Sequence, residues 1–146
     1  METLYLINLD KPFKGYCDAT VTKETGHVHY TGKTLPEYLK EESIKNYHLL
    51  EWDDFYELYY KKHLNSLQGD FREISAEQYD DWLNCLPPMR WGNIARGVNM
   101  FFIMEAYTAD LHECVLKIGN KHYSALRSKF IKGEEIINQL KKQGII

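Results

Sequence analysis

The chain is 146 residues long, and its 44% apolar and 27% charged side chains are typical of one folded domain, residues 1–146, and do not suggest a disordered chain. A net charge of −3 gives no overall attraction to nucleic-acid phosphate, which leaves at most a local basic patch for that purpose. The start of the chain lacks the basic end and long apolar core of a signal peptide, and the apolar run at residues 100–104 is too short to span a bilayer. We therefore expect a soluble cytoplasmic protein with no membrane partner.

The three cysteines, Cys17, Cys85 and Cys114, are widely separated and form no Cys-x-x-Cys pair. That spacing argues against a disulfide framework and a zinc knuckle, and it favours buried, reduced thiols. The sequence also contains no phosphate loop, nucleophile signature or full set of metal ligands. We expect no cofactor.

The chain begins with short extended runs separated by turn-forming residues. Residues 3–8 and 16–22 are predicted to be strands, and residues 27–31 are predicted to return alongside them. Together these runs indicate an N-terminal antiparallel meander.

Capping signals begin the helices that follow. Thr34 and Glu37 have the spacing of a capping box, which predicts a helix from residue 35 to about residue 42. After a brief extended run at residues 47–50, two acidic residues begin the longest predicted helix, which runs from residue 53 or 54 to about residue 67.

A second capping box, Ser75-Ala76-Glu77-Gln78, begins a helix that the pair Pro87-Pro88 ends. A loop rich in turn residues is expected after the prolines. Residues 98–107 are apolar at both odd and even positions, which is typical of a strand in the interior of a sheet with cover on both faces.

Gly119-Asn120 separates two extended runs, residues 114–118 and 121–126, and predicts a two-residue hairpin because both turn residues tolerate positive φ. Residues 134–142 form an amphipathic pattern with an acidic start and a basic end, which predicts a terminal helix. The expected fold class is α+β, with antiparallel strands from the N-terminal meander and from a C-terminal three-strand unit packed with about four helices. The strands form either one sheet or two.

From Phe71 onward the chain has a characteristic order: a capped helix with Trp82, the segment Leu86-Pro87-Pro88-Met89-Arg90-Trp91, an apolar strand, a hairpin and a terminal helix. This order, with its Leu-Pro-Pro-x-Arg-Trp segment, resembles small uncharacterised bacterial proteins of plasmids, phages and conjugative elements over residues 71–140. The resemblance implies a mobile genetic element as the genomic setting, and it implies no reaction.

Glu105, His112 and Arg127 are candidates for a site on the C-terminal strands. The predicted hairpin pairs His112 with Arg127, and a four-residue loop at residues 107–110 places Glu105 opposite His112. A row of acid, imidazole and guanidinium suits anion binding or proton transfer. The alternative is an ion-pair ladder without a functional role.

Arg90, Trp91 and Arg96 place cations and an aromatic face in the predicted loop, which suits binding of a phosphate, a carboxylate or a base. Alternatively, Trp91 fills the core beneath the loop and Arg90 pairs with a nearby acid.

His27 and His29 lie on one face of a predicted strand, a spacing that suits a transition metal if a third ligand joins them. Otherwise, both imidazoles face solvent on an edge strand.

Tyr56, Tyr59 and Tyr60 precede Lys61 and Lys62 in the longest predicted helix. This aromatic and basic group suits base stacking or contact with a partner protein, and its alternative role is core packing with solvated lysines.

Because the inventory of catalytic residues is thin, we expect a non-enzymatic accessory or interaction protein of a mobile genetic element. It would act through protein–protein contacts, with a protein partner or a second copy of the chain. The first alternative is a small-ligand-binding protein or hydrolase that uses Glu105, His112 and Arg127. The second is a nucleic-acid-binding accessory protein.

Overall fold

The computed structural model describes the backbone of residues 2–85, 88–95 and 97–146, without the side chains of residues 83–85, 88–91 and 104–106. The chain divides into two compact units, Met1–Lys62 and His63–Ile146. Each unit contains its own antiparallel sheet and its own cluster of buried apolar side chains. The predicted α+β class is confirmed, and the strands form two sheets. That the chain is a single domain stays a prediction.

The N-terminal unit has a three-stranded sheet made of β1 (Thr3–Asn8), β2 (Ala19–Thr22) and β3 (Tyr47–Leu50). The order of the strands in the sheet is β2-β1-β3. The middle strand, β1, pairs Leu4 with Val21 on one side and Leu6 with Leu49 on the other. Leu6 and Val21 are buried with Val28, so this sheet has an apolar core on one face.

The predicted returning strand at residues 27–31 is wrong. This segment makes only two isolated bridges within the described N-terminal unit. Tyr30 and Gly32 have φ angles of +68° and +70°, so the backbone leaves the extended conformation there. The third strand of the sheet is β3 instead.

Both predicted helices of the N-terminal half are present. Thr34 begins α1 (Leu35–Glu41), and its hydroxyl accepts a hydrogen bond from the backbone N–H of Glu37. The longest helix has three parts: α2 (Trp52–Phe55), a π-helical segment (Tyr56–Tyr60) and α3 (Lys61–Ser66). Phe55 and Tyr60 are both fully buried, with ring centroids 5.7 Å apart. Residues five apart would lie about 140° apart around an α-helix, so the wider π turn brings these two rings together.

The C-terminal unit has a five-stranded antiparallel sheet. Its strands are β4 (Arg72–Ile74), β5 (Pro88–Ala95), β6 (Val98–Ala106), β7 (Leu111–Ile118) and β8 (Lys121–Ser128). Their order in the sheet is β4-β8-β7-β6-β5. Its two further helices are α4 (Ala76–Cys85) and α5 (Gly133–Lys142). The sheet is therefore larger by β4 and β5 than the predicted three-strand unit.

Helices cover both faces of this sheet at β6. On one face, Ile136 and Leu140 of α5 are buried with Phe102. The preceding residue, Phe101, points to the opposite face, where its ring centroid lies 5.5 Å from that of Trp82 in α4. The prediction of an interior strand with cover on both sides is confirmed.

The loop predicted after the double proline is wrong, because residues 88–95 form the edge strand β5. Proline is tolerated as the first residue of an edge strand, since its missing N–H then leaves no ladder bond unmade. Gly97, with φ +82°, lies in the turn into β6. The apolar β6 thus has β5 as a second partner strand. The turn-forming residues of β5 had led to the prediction of a loop.

The local signals of the C-terminal half are confirmed. Gly119 has φ +60° in the hairpin turn between β7 and β8. At the start of α4, the Ser75 hydroxyl accepts from the Gln78 N–H at 3.1 Å, and the Gln78 side chain accepts from the Ser75 N–H at 3.2 Å. None of the helices in the described ranges is both long and apolar enough to cross a membrane.

Candidate functional site

Arg127 lies near the end of β8, opposite His112 as the hairpin register predicted. Its Nε donates to Oε1 of Gln139 at 2.9 Å, and its Nη1 donates to the carbonyl oxygen of Leu126 at 2.7 Å. Its guanidinium carbon lies 4.6 Å from the centroid of the Phe71 ring, a cation–π contact. The guanidinium is thus held by two hydrogen bonds and one aromatic face.

Arg127 faces a cavity of about 430 Å³, here called the Arg127 cavity. Its walls come from the turn before β4, from β8 and from the last turns of α5. The lining residues are Gly69, Asp70, Arg127, Gln139, Lys142 and Gln143. All of them are polar or glycine, and their aliphatic stems line the cavity together with their charged and amide groups.

A side-chain clamp holds two walls of the cavity together. Nε2 of Gln143 donates to the carbonyl oxygen of Phe71 at 3.0 Å, and Oε1 of Gln143 accepts from the Phe71 N–H at 2.9 Å. Gly69, with φ +93°, lets the chain turn into this clamp through a conformation that other residues rarely adopt. The clamp therefore positions Asp70 next to the end of α5.

The charged side chains of the cavity are not paired with one another. Arg127, Lys142 and Asp70 form no ion pair with each other within 4.0 Å, and none of the other described residues pairs with them. Burial lowers the pKa of Arg127, and the nearby Cys114 and Asp70 act in the opposite direction. Arginine nevertheless stays protonated, so the cavity holds two cations and one carboxylate.

The donor inventory favours anion binding. A guanidinium has five N–H donors, and two of those on Arg127 are used within the described chain, which leaves three. The ammonium of Lys142 adds further donors. The lining contains no serine, cysteine or histidine, so nothing described there provides a nucleophile or an imidazole base.

The predicted row of three residues is broken at Glu105. Ala106 lies opposite His112, because the register between β6 and β7 shifts between Phe102 and Ala106. Glu105 falls in the irregular part of β6, and its side chain is outside the described residues. The expectation that Glu105 faces His112 was therefore wrong, since a β-bulge changes the count of residues along one strand.

His112 is buried, with 4% of its surface exposed. Its Nδ1 is 3.0 Å from the carbonyl oxygen of Ile103, so the ring is hydrogen-bonded inside the sheet. It does not line the Arg127 cavity. Of the predicted row, Arg127 alone contributes to that cavity among the described side chains.

A second buried polar cluster comprises His63, Glu113 and Ser124. Oε1 of Glu113 is 2.8 Å from Nε2 of His63 and accepts from the Ser124 hydroxyl at 3.0 Å. Glu113 and Ser124 are fully buried, and His63 is 8% exposed. Because the serine bonds the carboxylate and not the imidazole, this is not a nucleophile–base pair. The cluster lies within the C-terminal unit and joins His63 to β7 and β8.

His27 and His29 have different surroundings. Nδ1 of His29 is 2.7 Å from the Thr20 hydroxyl, and Nε2 is 2.6 Å from the Thr22 hydroxyl. His27 is exposed. Among the described residues, no three His, Cys, Asp or Glu side chains are placed to hold a metal ion.

Arg90 and Trp91 lie in β5, where their backbones pair with Phe102 and Phe101 of β6. Their side chains are outside the described residues, and so is Arg96. The predicted loop around this trio is wrong, whereas its role in binding stays a prediction.

The tyrosines of the longest helix pack mainly within the N-terminal unit. Tyr60 is fully buried, and the Tyr56 ring stacks near it with centroids 6.2 Å apart. The hydroxyl of Tyr59 is 3.3 Å from Nδ1 of His48. These contacts favour core packing over a base-stacking surface.

Arg127 was predicted from the sequence as a site residue, and the other residues that line the cavity were not. Gln139, Lys142 and Gln143 have i, i+3 and i+4 spacing, which places them on one face of α5. That polar stripe is the single signal in the sequence, and an ordinary solvent-exposed helix face has the same pattern.

Comparisons with protein-family models, curated proteins and solved structures found no significant match to this chain.

Proposed function

We propose that the C-terminal unit binds a small anionic ligand, with a carboxylate or phosphate group, in the Arg127 cavity. The observation that carries the proposal is a guanidinium held by two hydrogen bonds and one aromatic face, with three N–H donors left unused by the described residues, at the wall of a cavity. A planar, immobilised guanidinium matches the two oxygens of a carboxylate or phosphate.

The partial burial of Arg127 supports a ligand over a purely structural role. Removing a cation from water without an anionic partner is unfavourable, and the lowered pKa of Arg127 has this burial as its main cause. A ligand anion would offset that cost. The ordering of the guanidinium by Gln139 and Phe71 before binding would also reduce the entropy lost on association.

We propose binding without chemical conversion, because the described lining offers no nucleophile or imidazole. This develops the small-ligand alternative of the sequence interpretation, with Arg127 retained and His112 and Glu105 set aside. An accessory role for a mobile genetic element, a cytoplasmic location and contacts with a protein partner or second copy remain predictions from the sequence. Nucleic-acid binding through Arg90, Trp91 and Arg96 remains the least favoured of them, given the net charge of −3.

The test is a titration of the protein with sodium acetate and sodium phosphate at constant ionic strength, followed by protein NMR. We expect saturable binding to the wild type. Arg127→Met should weaken it by roughly tenfold or more, which corresponds to the loss of a charge-assisted pair worth about 1.5 kcal/mol. Arg72→Met is the matched control, because Arg72 is exposed on β4 and lies outside the cavity lining.

A second pair of variants lies in the last turn of α5. Lys142→Met should weaken anion binding, and Lys141→Met should leave it unchanged, since Lys142 alone of the two lines the cavity. The proposal would be overturned if Arg127→Met bound the anions as tightly as Arg72→Met, and Lys142→Met as tightly as Lys141→Met.

A further inference from the structure

We infer that the ligand of the Arg127 cavity is a small zwitterion, a molecule that carries a carboxylate and an ammonium group close together, as a free α-amino acid does. The inference rests on the proposed anion-binding function and names the class of ligand.

Asp70 is the first reason. Its carboxylate lines the same cavity as Arg127 and Lys142. Within the described chain it has no ion pair, and no hydrogen bond to its side chain is present. A bare carboxylate or phosphate would be repelled by Asp70, whereas an ammonium group on the ligand would be attracted to it.

The remaining hydrogen-bonding groups match both ends of such a ligand. Both amide atoms of Gln143 are engaged with the backbone of Phe71, and Oε1 of Gln139 accepts from Arg127. The groups left for a ligand are N–H donors on Arg127, Gln139 and Lys142 and the second N–H of Gln143. Within the described part of the chain, Asp70 is the one charged acceptor of the lining. Donors suit the carboxylate, and the acceptor suits the ammonium group.

The size and lining of the cavity restrict the ligand further. A volume of about 430 Å³ lies in the lower part of the range of small-molecule sites, which is roughly 300–1,000 Å³. The lining side chains offer both aliphatic stems and polar ends, so the size of the cavity restricts the ligand more than its polarity does. We therefore expect a small amino acid.

The experiment compares three matched probes at constant pH and ionic strength: glycine, acetate, which lacks the ammonium group, and methylammonium, which lacks the carboxylate. Binding is measured by NMR titration of the wild type, of Asp70→Asn and of Arg127→Met. In the wild type, glycine should bind about fivefold more tightly than acetate, as expected for one added partly exposed charge pair. Methylammonium should bind most weakly.

Asp70→Asn should reverse the preference between the first two probes. Glycine should lose about fivefold in affinity, and acetate should gain, because the same carboxylate attracts one and repels the other. Asp80→Asn is the control, since Asp80 is an exposed acid of α4 outside the cavity. Thermal unfolding of each variant checks that the fold is retained.

The outcomes separate the two proposals. If acetate binds as tightly as glycine in the wild type, or if Asp70→Asn strengthens both equally, the cavity binds simple anions and the zwitterion inference is overturned while the proposed function stands. If Arg127→Met binds glycine and acetate as the wild type does, or if neither compound binds the wild type, the proposed function itself fails, and the inference with it.

Discussion

The guanidinium of Arg127 lies over the ring of Phe71, with 4.6 Å between the guanidinium carbon and the ring centroid. The backbone of Phe71 is in turn held by both amide atoms of Gln143. A residue of β8, the residue before β4 and the end of α5 are therefore fixed to one another around one cation. This arrangement holds the guanidinium in one orientation, as the proposed anion site requires.

Phe71→Leu should weaken anion binding by about two- to fivefold, because it removes a cation–π contact worth roughly 0.5–1 kcal/mol that immobilises Arg127. It should also lower the free energy of unfolding by about 1–2 kcal/mol, since the ring is 4% exposed. Acetate titration and urea denaturation measure the two effects. Phe130→Leu is the control, because that ring is 73% exposed and both quantities should stay at their wild-type values.

Gln143→Ala should lower the free energy of unfolding by about 1–2 kcal/mol, because two hydrogen bonds to the Phe71 backbone are lost. Urea denaturation measures the change. Asn138→Ala provides the comparison, since Asn138 is exposed on the same helix, and its effect should stay within about 0.5 kcal/mol. Equal effects of the two substitutions would contradict the clamp.

Glu113→Gln should lower the free energy of unfolding by about 1–3 kcal/mol, because it places a buried NH2 group among partners arranged for a carboxyl group. The substitution keeps the volume of a fully buried side chain whose Oε1 lies 2.8 Å from Nε2 of His63. Chemical denaturation at pH 6 is the measurement, with Glu73→Gln on exposed β4 as the control. A change below about 0.5 kcal/mol in Glu113→Gln would mean that the buried cluster contributes little to stability.

Stability should also fall on acidification through His122. Burial, with a smaller contribution from Lys117, lowers the pKa of His122 from its ordinary 6.5, and Asp80 acts weakly in the opposite direction. The ring is stacked on Tyr79, with centroids 4.1 Å apart. A histidine with a lowered folded-state pKa binds its proton more readily when unfolded, so its contribution is complete above pH 6.5 and is lost as the pH falls through the folded-state value.

Urea denaturation of the wild type and of His122→Gln at pH 7.5 and 5.5 isolates this effect. The wild type should lose more stability between the two pH values than the variant does. An equal loss in both proteins would assign the pH dependence to other groups.

Elements that depend on neighbouring residues in the sequence were predictable. Residues close together in the sequence determine the helix caps at Thr34 and Ser75, the hairpin turn at Gly119 and the apolar stripe of α5. The register of His112 with Arg127 follows from the hairpin turn for the same reason.

The missed elements depend on distant partners. β4 is three residues long and exists because β8 pairs with it, and β5 exists because the apolar β6 needs a second neighbour. The bulge that moves Glu105 away from His112 leaves no signature in the residues themselves. The cavity combines a loop, a strand and a helix end, so the sequence indicated Arg127 but not Asp70 or Lys142 as its companion.

The most direct test of the proposed site is the map of backbone amide shifts of the 15N-labelled protein during titration with glycine. We predict saturable shifts confined to residues 69–71, to Arg127 and to residues 139–143, all with one dissociation constant, and their loss in Arg127→Met. Shifts centred elsewhere on the chain, or no saturable shift at these residues with glycine, acetate or phosphate, would contradict a ligand site at Arg127.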